Sequence, residues 1–421
     1  MAKKPWMTSD SLVAAVQRKI LMPINQATFS ADDILAFADE EMVISQVPSI
    51  MMYNEEYFVT SKTVPLVANT SRYTIPERAI GMKLRDVSYA DTSGNLYEMS
   101  RISPDNKNFF QDSTGSFNIG KTFYIEGNDV VLNPNNQTNL AGYLIFYYYL
   151  RPNQLVEDSR AAIVESYRMT VTVDNPNIVA GDIFSMGGVS FTAVTSSPGA
   201  NEFLIDTTSI LTATNLKNAI NASTLDVSAD NSSTAIVTID FTDIGLVLAN
   251  VPGNLFPILI TENITTTSAG LDISSNISVV FTADIDTDVY SDGALVDFLE
   301  TAGGHKTLSL DIEIQDIGSN TIDFILLSMP LNLVIGDYIC LQYECIIPQI
   351  PSDLHTGLAE RTSARLLAAM GDQVGLQNVN LKIGEIDQKQ APMIDNRAEG
   401  SPLKITGRHS MLRYGQTRRR W

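Results

Sequence analysis

Gly115–Thr122 reads GSFNIGKT and fits the phosphate-loop pattern G-x-x-x-x-G-K-[ST] letter for letter. That motif works because it leaves a buried strand and opens a helix whose N-terminal N–H groups face the phosphates. The context here differs. The preceding NKNFFQDST is polar, and the following FYIEG reaches a turn within five residues, so no helix can start at Lys121. The stretch reads as a hairpin loop. Nucleotide binding through Gly115–Thr122 is the alternative reading, and ATP affinity lost in Lys121→Ala is its signature. Asp284, Asp286 and Asp288 open like a calcium loop, but Val289 stands where glycine is needed and Leu295 where glutamate is needed. They read as the end of a strand. The three histidines, His305, His355 and His409, lie in different elements, and none sits in H-E-x-x-H. His355 reads as a surface residue. Cys340 and Cys345 are the only cysteines and supply neither a disulfide framework nor a zinc quartet. They read as two buried thiols on opposite faces of a strand. The sequence predicts no catalytic residue, no cofactor and no metal, and no enzyme.

The chain has 421 residues, 44% of them hydrophobic, with a net charge of −20 and a pI near 4.5. That length supports two or three domains with real cores. The acidic balance argues against tight nucleic-acid binding, which needs clustered lysine and arginine. It suits a surface that nucleic acid passes without sticking. Met1–Trp6 is charged with no apolar run after it, and no run reaches the length of a membrane span, so a soluble, cytoplasmically made protein is expected.

The strongest helix of the second half of the chain is expected in Pro348–Gly375, the stretch around which the rest is organised. Ser352 is placed to cap it, and Gly371 can supply the left-handed residue that ends it near Met370. Ala359, Thr362, Ser363, Leu366, Leu367 and Met370 form one stripe whose small residues admit a close partner helix. Leu358, Ala359, Thr362, Leu366 and Met370 are the expected subunit-packing residues. Glu360, Arg361 and Arg365 fall off the stripe and are expected to face water or a neighbour. Comparable helices lie at the other end of the chain. Ser9–Met22 carries Leu12, Val13, Val16 and Ile20 on one face and stops at Pro23. The next is capped by Ser30, with Asp33 at the reciprocal position, and buries Ile34, Leu35, Ala38 and Met42 before Pro48 ends it. Asp39, Glu40 and Glu41 read as its solvated face.

Between the two ends the chain reads as strands from Val64 onward, with RYTIP, MKLRDVSYA, a turn at Asp91–Asn95, a short helix over Pro104–Phe110, a hairpin about Gly127–Asn128, and a central strand YLIFYYYL at Tyr143–Leu150. Residues 174–280 differ in texture: ten acids against one lysine give −9. A hairpin at Gly187–Gly188, a helix through Ala213, Leu216 and Ile220, and a strand through Val237, Ile239 and Phe241 make this a small inserted domain. Leu308, Leu310, Ile312 and Ile314 then alternate with polar residues, Gly318–Asn320 turns the chain, and Gly336–Ile347 is a last strand. Beyond Gly375 regularity fades. From Lys404 the tail carries six bases and no acid, ending at Trp421. The predicted fold is α+β. A helical body comes from residues 1–63 and 348–421, a β-rich sandwich or barrel-like region from 64–173 and 281–347, and an inserted α+β domain from 174–280.

The order of paired helices, RYTIP, an aromatic strand ending YYYLRPNQLV, VIGDYI and IPSDLHTGLAERTSARLLAAMGD resembles the head-to-tail adaptor (connector) family of tailed bacteriophages, of the tail tubular protein A type. The resemblance covers residues 9–173 and 281–421. It implies a structural virion protein forming a ring, usually of twelve subunits, between the portal and the tail nozzle or tail tube protein. DNA would pass through the lumen without specific binding. It places the protein in the neck of the virion, after assembly in the host cytoplasm. It also implies that the C-terminal tail binds the portal, through Lys404, Arg408, Arg413, Arg418, Arg419 and Arg420, with Trp421 as apolar anchor. The inserted residues 174–280 resemble small modules of other phage virion proteins, with tail fibres as their candidate partner. The alternative within the same class is another tail, baseplate or fibre-attachment protein.

Overall fold

The computed structural model describes residues 7–21, 29–105, 122–133, 141–251, 259–301 and 307–394, with the side chains of 390–394 outside that description. Three helices come first. Helix α1 (Ser9–Lys19) is capped by Thr8, whose side chain accepts from the Ser11 N–H. It ends short of the expected Met22 because Leu21 sits at φ +54°, where a right-handed helix cannot continue. Helix α2 (Ala31–Glu41) has the expected capping box, with Ser30 and Asp33 satisfying each other's backbone N–H. Pro48 does not end the run. A π turn, Met42–Gln46, shifts the hydrogen-bond frame, and Pro48 falls in the first turn of α3 (Val47–Tyr53), where its missing N–H is not needed.

The strands start at Val59, earlier than expected. Tyr143–Leu150 is central, as its two-faced apolar pattern requires. It lies antiparallel between Val59–Pro65 and Ala79–Ala90, with Leu96–Glu98 at the far edge. The hairpin about Gly127, at φ +63°, joins Thr122–Glu126 to Asp129–Asn133 in a second four-stranded sheet. Phe146, Tyr148, Val87, Phe123 and Val130 share the core between these two sheets.

Ala162–Val173 is the spine of a ten-stranded sheet. It pairs antiparallel with Tyr338–Leu341 at its start and with Asn276–Phe281, Ile236–Phe241 and Leu271–Ile273 further on. The hairpin at Gly187–Gly188 and helix α4 (Ser209–Asn221), which buries Ala213, Leu216 and Ile220, form as expected. One hydrophobic core runs from Val164 through Phe184, Phe203 and Phe241 to Phe298 and Ile339, so sheet and core continue across positions 173/174 and 280/281.

Two expected strands are broken. Thr307–Glu313 does not alternate cleanly, because Asp311 stands at φ +61° and the ladder to Leu295–Leu299 is irregular beside it. Gly336–Ile347 splits into Tyr338–Leu341 and Glu344–Cys345 around Tyr343 at φ +69°. Asp284, Asp286 and Asp288 lie in a turn, where Asp286 accepts from the Asp288 N–H.

Ser352 opens a single 3-10 turn, Ser352–Leu354, instead of capping the last long helices. Helix α5 (His355–Met370) follows without a side-chain cap and ends at Gly371, φ +75° in the left-handed region. The chain then forms α6 (Gln373–Ile394), where regularity was not expected. Its start is fixed by Asp372, whose carboxylate accepts from the Gly375 N–H at 2.9 Å. The protein is thus α+β, with a helical body, two packed β sheets and a long sheet carrying the acidic segment.

Candidate assembly interface

The two ends of the chain meet. The Ser9 N–H donates to the Ile346 carbonyl at 2.7 Å, and the Met7 N–H donates to His355 Nδ1 at 3.0 Å. Leu12, Val16, Ile34, Leu35 and Ala38 from α1 and α2 share one core with Leu354, Leu358, Ala359 and Leu366. Small residues on α5 permit this approach. Thr362 and Ser363 are fully buried, their hydroxyls satisfied by the carbonyls four residues back, Leu358 and Ala359. Of the five residues predicted for subunit packing, Leu358, Ala359, Thr362 and Leu366 are therefore packed inside their own chain. Met370, 40% exposed, has surface to offer a neighbour.

The charged residues around this core are ties within the chain rather than a solvated rim. Lys19 pairs with Glu360, which is buried. Arg365 reaches both Glu40 and Glu41, and Arg361 holds Asp387 of α6 through both carboxylate oxygens at 2.7 Å. Asp39 turns inward, and both its oxygens accept the Leu155 N–H, at 3.0 and 3.1 Å. Glu40 keeps the exposure expected of it, whereas Glu41 and Glu360 are buried, because each lies on the seam between elements distant in sequence. Between α2, α5 and α6 an open groove of about 510 Å³ remains, lined by Phe37, Ala364, Ala368, Leu376 and Ile383.

A second polar cluster joins the helical body to the sheets. Arg78, just before Ala79–Ala90, grips Asp297 of the long sheet at 2.7 and 2.9 Å and Asp311 at 2.6 Å. Asp297 is wholly buried. Asn153 donates to Asp297 at 2.8 Å, and its own N–H donates to Gln349 near the start of α5. The Tyr343 ring covers the guanidinium at 4.2 Å, which explains its left-handed backbone position. Burial works to lower the Arg78 pKa, but the Asp297 and Asp311 carboxylates outweigh it and raise it. The left-handed turn at Asp311 likewise aims its carboxylate at Arg78. Nothing local pointed to this joint, because Asp311 falls at a polar position of the Leu308–Ile314 alternation.

His355 is buried rather than exposed. Its Nδ1 accepts from Met7, so Nε2 is the protonated nitrogen and faces the Pro348 and Ile350 carbonyls at 3.2 Å. Burial pushes its pKa down. Both cysteines are buried and free, and burial pushes their thiols up, so neither is a ready nucleophile. In the phosphate-loop-like stretch, Gly115–Lys121 lies outside the described residues, and Thr122 opens the strand Thr122–Glu126. His305, His409, most of Pro104–Phe110 and the basic tail Lys404–Trp421 also lie outside them. Among the described residues no helix is long and apolar enough to cross a membrane, and no group of three or more His, Cys, Asp or Glu is placed to hold a metal.

The SU10 adaptor protein family model matches residues 7–183, somewhat less than half of the chain. The matched segment takes in α1, α2 and α3, the tyrosine-rich strand and the spine of the long sheet. No curated protein matches the chain. The family match supports a phage adaptor-type structural protein.

Proposed function

We propose that the protein is a head-to-tail adaptor, one subunit of a ring that joins the portal to the tail nozzle or tail tube protein and lines part of the DNA channel. The observation that carries this reading is the closure of one helical body by both ends of the chain, with the N-terminal part inside the matched segment. A ring of twelve is the expected stoichiometry, with the virion neck as its place after assembly in the host cytoplasm. The basic tail, Lys404, Arg408, Arg413 and Arg418–Arg420 with Trp421, seats in an acidic groove of the portal by charge complementarity. Met370 and the groove beside α6 are surfaces available to a neighbouring subunit. The net charge of −20 lets DNA slide past without sticking. Residues 174–280 are the part offered to tail fibres.

Co-sedimentation with purified portal tests this. The full chain is expected to sediment with portal rings, and a chain lacking residues 404–421 to remain folded but bind more weakly. Unchanged binding after truncation removes the tail from the account; no binding by the full chain overturns the adaptor reading.

A further inference from the structure

Two open strand edges border one cleft. Val59–Pro65 is the outermost strand of the first four-stranded sheet, and Thr307–Glu313 is the outermost strand of the ten-stranded sheet. Among the described residues neither has a strand on its outer side. Residues 60–63 and 307–311, together with 74–78, line a cleft of about 650 Å³. Consecutive residues of a strand point to opposite faces. Lining by unbroken runs therefore means that the walls are strand edges, whose outward N–H and C=O groups can take a further strand.

The two edges differ. Lys62 stands in the middle of the first, a common guard against a further strand. Residues 307–310, reading Thr-Leu-Ser-Leu, carry no charge, and Leu308 and Leu310 are half-buried two residues apart. Asp311, at φ +61° and turned to Arg78, ends the regular edge. The exposed charges of the cleft, Lys62 and Glu77, are opposite in sign. The cleft therefore selects a main chain with apolar side chains at a two-residue spacing rather than a charged group.

Helix α6 delivers such a segment. Arg361 holds Asp387, and Leu367 lies against Gly375, so α6 runs back antiparallel along α5. It finishes beside the Ser352–Leu354 turn, which it touches. Just before that turn, Gln349 donates to Thr307 Oγ1 at 3.3 Å, at one end of the cleft. Residues 395–402 follow α6 and, fully extended, reach roughly 26 Å. Next come Leu403, Lys404, Ile405 and Thr406, bracketed by Pro402 and Gly407. They alternate apolar and polar over the same length as the uncharged edge.

We propose that residues 403–406 dock as an added strand on the edge formed by residues 307–310 of their own chain. Leu403 and Ile405 then cover Leu308 and Leu310, while Lys404 and Thr406 share the other face with Thr307 and Ser309. The docking fixes the root of the basic tail on the sheet region of its own subunit. It leaves Arg408 onward, and the charge of Lys404, for the portal. It goes beyond the adaptor reading and needs no portal to form.

Disulfide trapping in the full chain without portal tests this. Leu308→Cys is combined with Leu403→Cys or with Ile405→Cys, and the native Cys340 and Cys345 are both buried. One of the two pairs is expected to close within the chain at least about tenfold faster than Leu308→Cys with Met411→Cys. Hydrogen exchange gives a second reading without new cysteines. A chain lacking 408–421 is expected to protect residues 307–313 as the full chain does. A chain lacking 402–421 is expected to lose protection there about tenfold, with the spine strand, 162–173, staying level. Closure no faster than the Met411→Cys control, bonds formed between chains rather than within one, or protection unchanged in the shorter chain overturns the docking. Trapping that persists in a chain that fails to bind portal supports the docking and overturns only the adaptor reading.

Discussion

The helical body and the ten-stranded sheet both join segments far apart in the chain, by different means. In the sheet the join is main-chain. Ala162–Val173 is laddered to strands as distant as Tyr338–Leu341, and large aromatics fill the core, with Phe298 and Phe324 edge to face at 5.2 Å. Helices satisfy their backbone groups internally, so α1, α2 and α5 have no ladder to share. They are joined by small-residue packing and by side-chain ties such as Lys19–Glu360 and Arg365–Glu41. A ladder spreads its stability over many equivalent bonds. A side-chain seam concentrates it in a few residues whose charge and shape matter one by one.

The largest test of this contrast is excision of residues 174–280 behind a short linker. It removes Ile236–Phe241, Leu271–Ile273 and nearly all of Asn276–Phe281 from the spine's ladder, whereas the core of the helical body contains none of the excised residues. We expect the sheet's unfolding transition to be lost and the helical circular dichroism of the remainder to persist. An insoluble product would mean that the two regions depend on each other.

Next in size is Arg78→Met at the joint between the regions. It leaves Asp297 buried without its cation, a change that costs about 3–5 kcal/mol. Urea denaturation followed by both helical and sheet signals should show both midpoints falling, since Arg78 reaches the sheet and, through Asp297 and Asn153, Gln349 before α5. A fall in one signal alone would make the joint part of that region only.

Leu358→Ala, at the middle of the helix seam, is expected to cost about 2–5 kcal/mol. That loss should appear in the helical transition and leave the sheet midpoint unmoved. The smallest change is Ser30→Ala, which removes one half of the capping box and is expected to cost about 1 kcal/mol, again only in the helical signal.

What could be read locally was read well. The Ser30–Asp33 box, the left-handed Gly371, the glycine hairpins at 127 and 187–188, and the two-faced apolar run of Tyr143–Leu150 are each determined within a few residues. The meeting of the two chain ends was also legible, because both ends carry amphipathic helices and little between them does. The errors have one cause. Asp39, Glu41, Glu360, Arg365 and His355 looked solvent-facing because their partners lie more than a hundred residues away. Arg78 and Asp297 are 219 residues apart, and no local pattern links them. Helix α6 escaped because Val379 is the one apolar residue of its described face that is fully covered, so its sequence lacks the periodicity of a buried helix. The π turn at Met42–Gln46 hid in the same way, by letting Pro48 sit where a continuous α-helix would have excluded it.

The assembly role of the helical body is tested most directly by native mass spectrometry of the chain, alone and mixed with portal rings. The account predicts a portal-bound ring of this chain, expected at twelve copies, that weakens when residues 404–421 are removed. A chain that stays monomeric beside intact portal at micromolar concentration would contradict it.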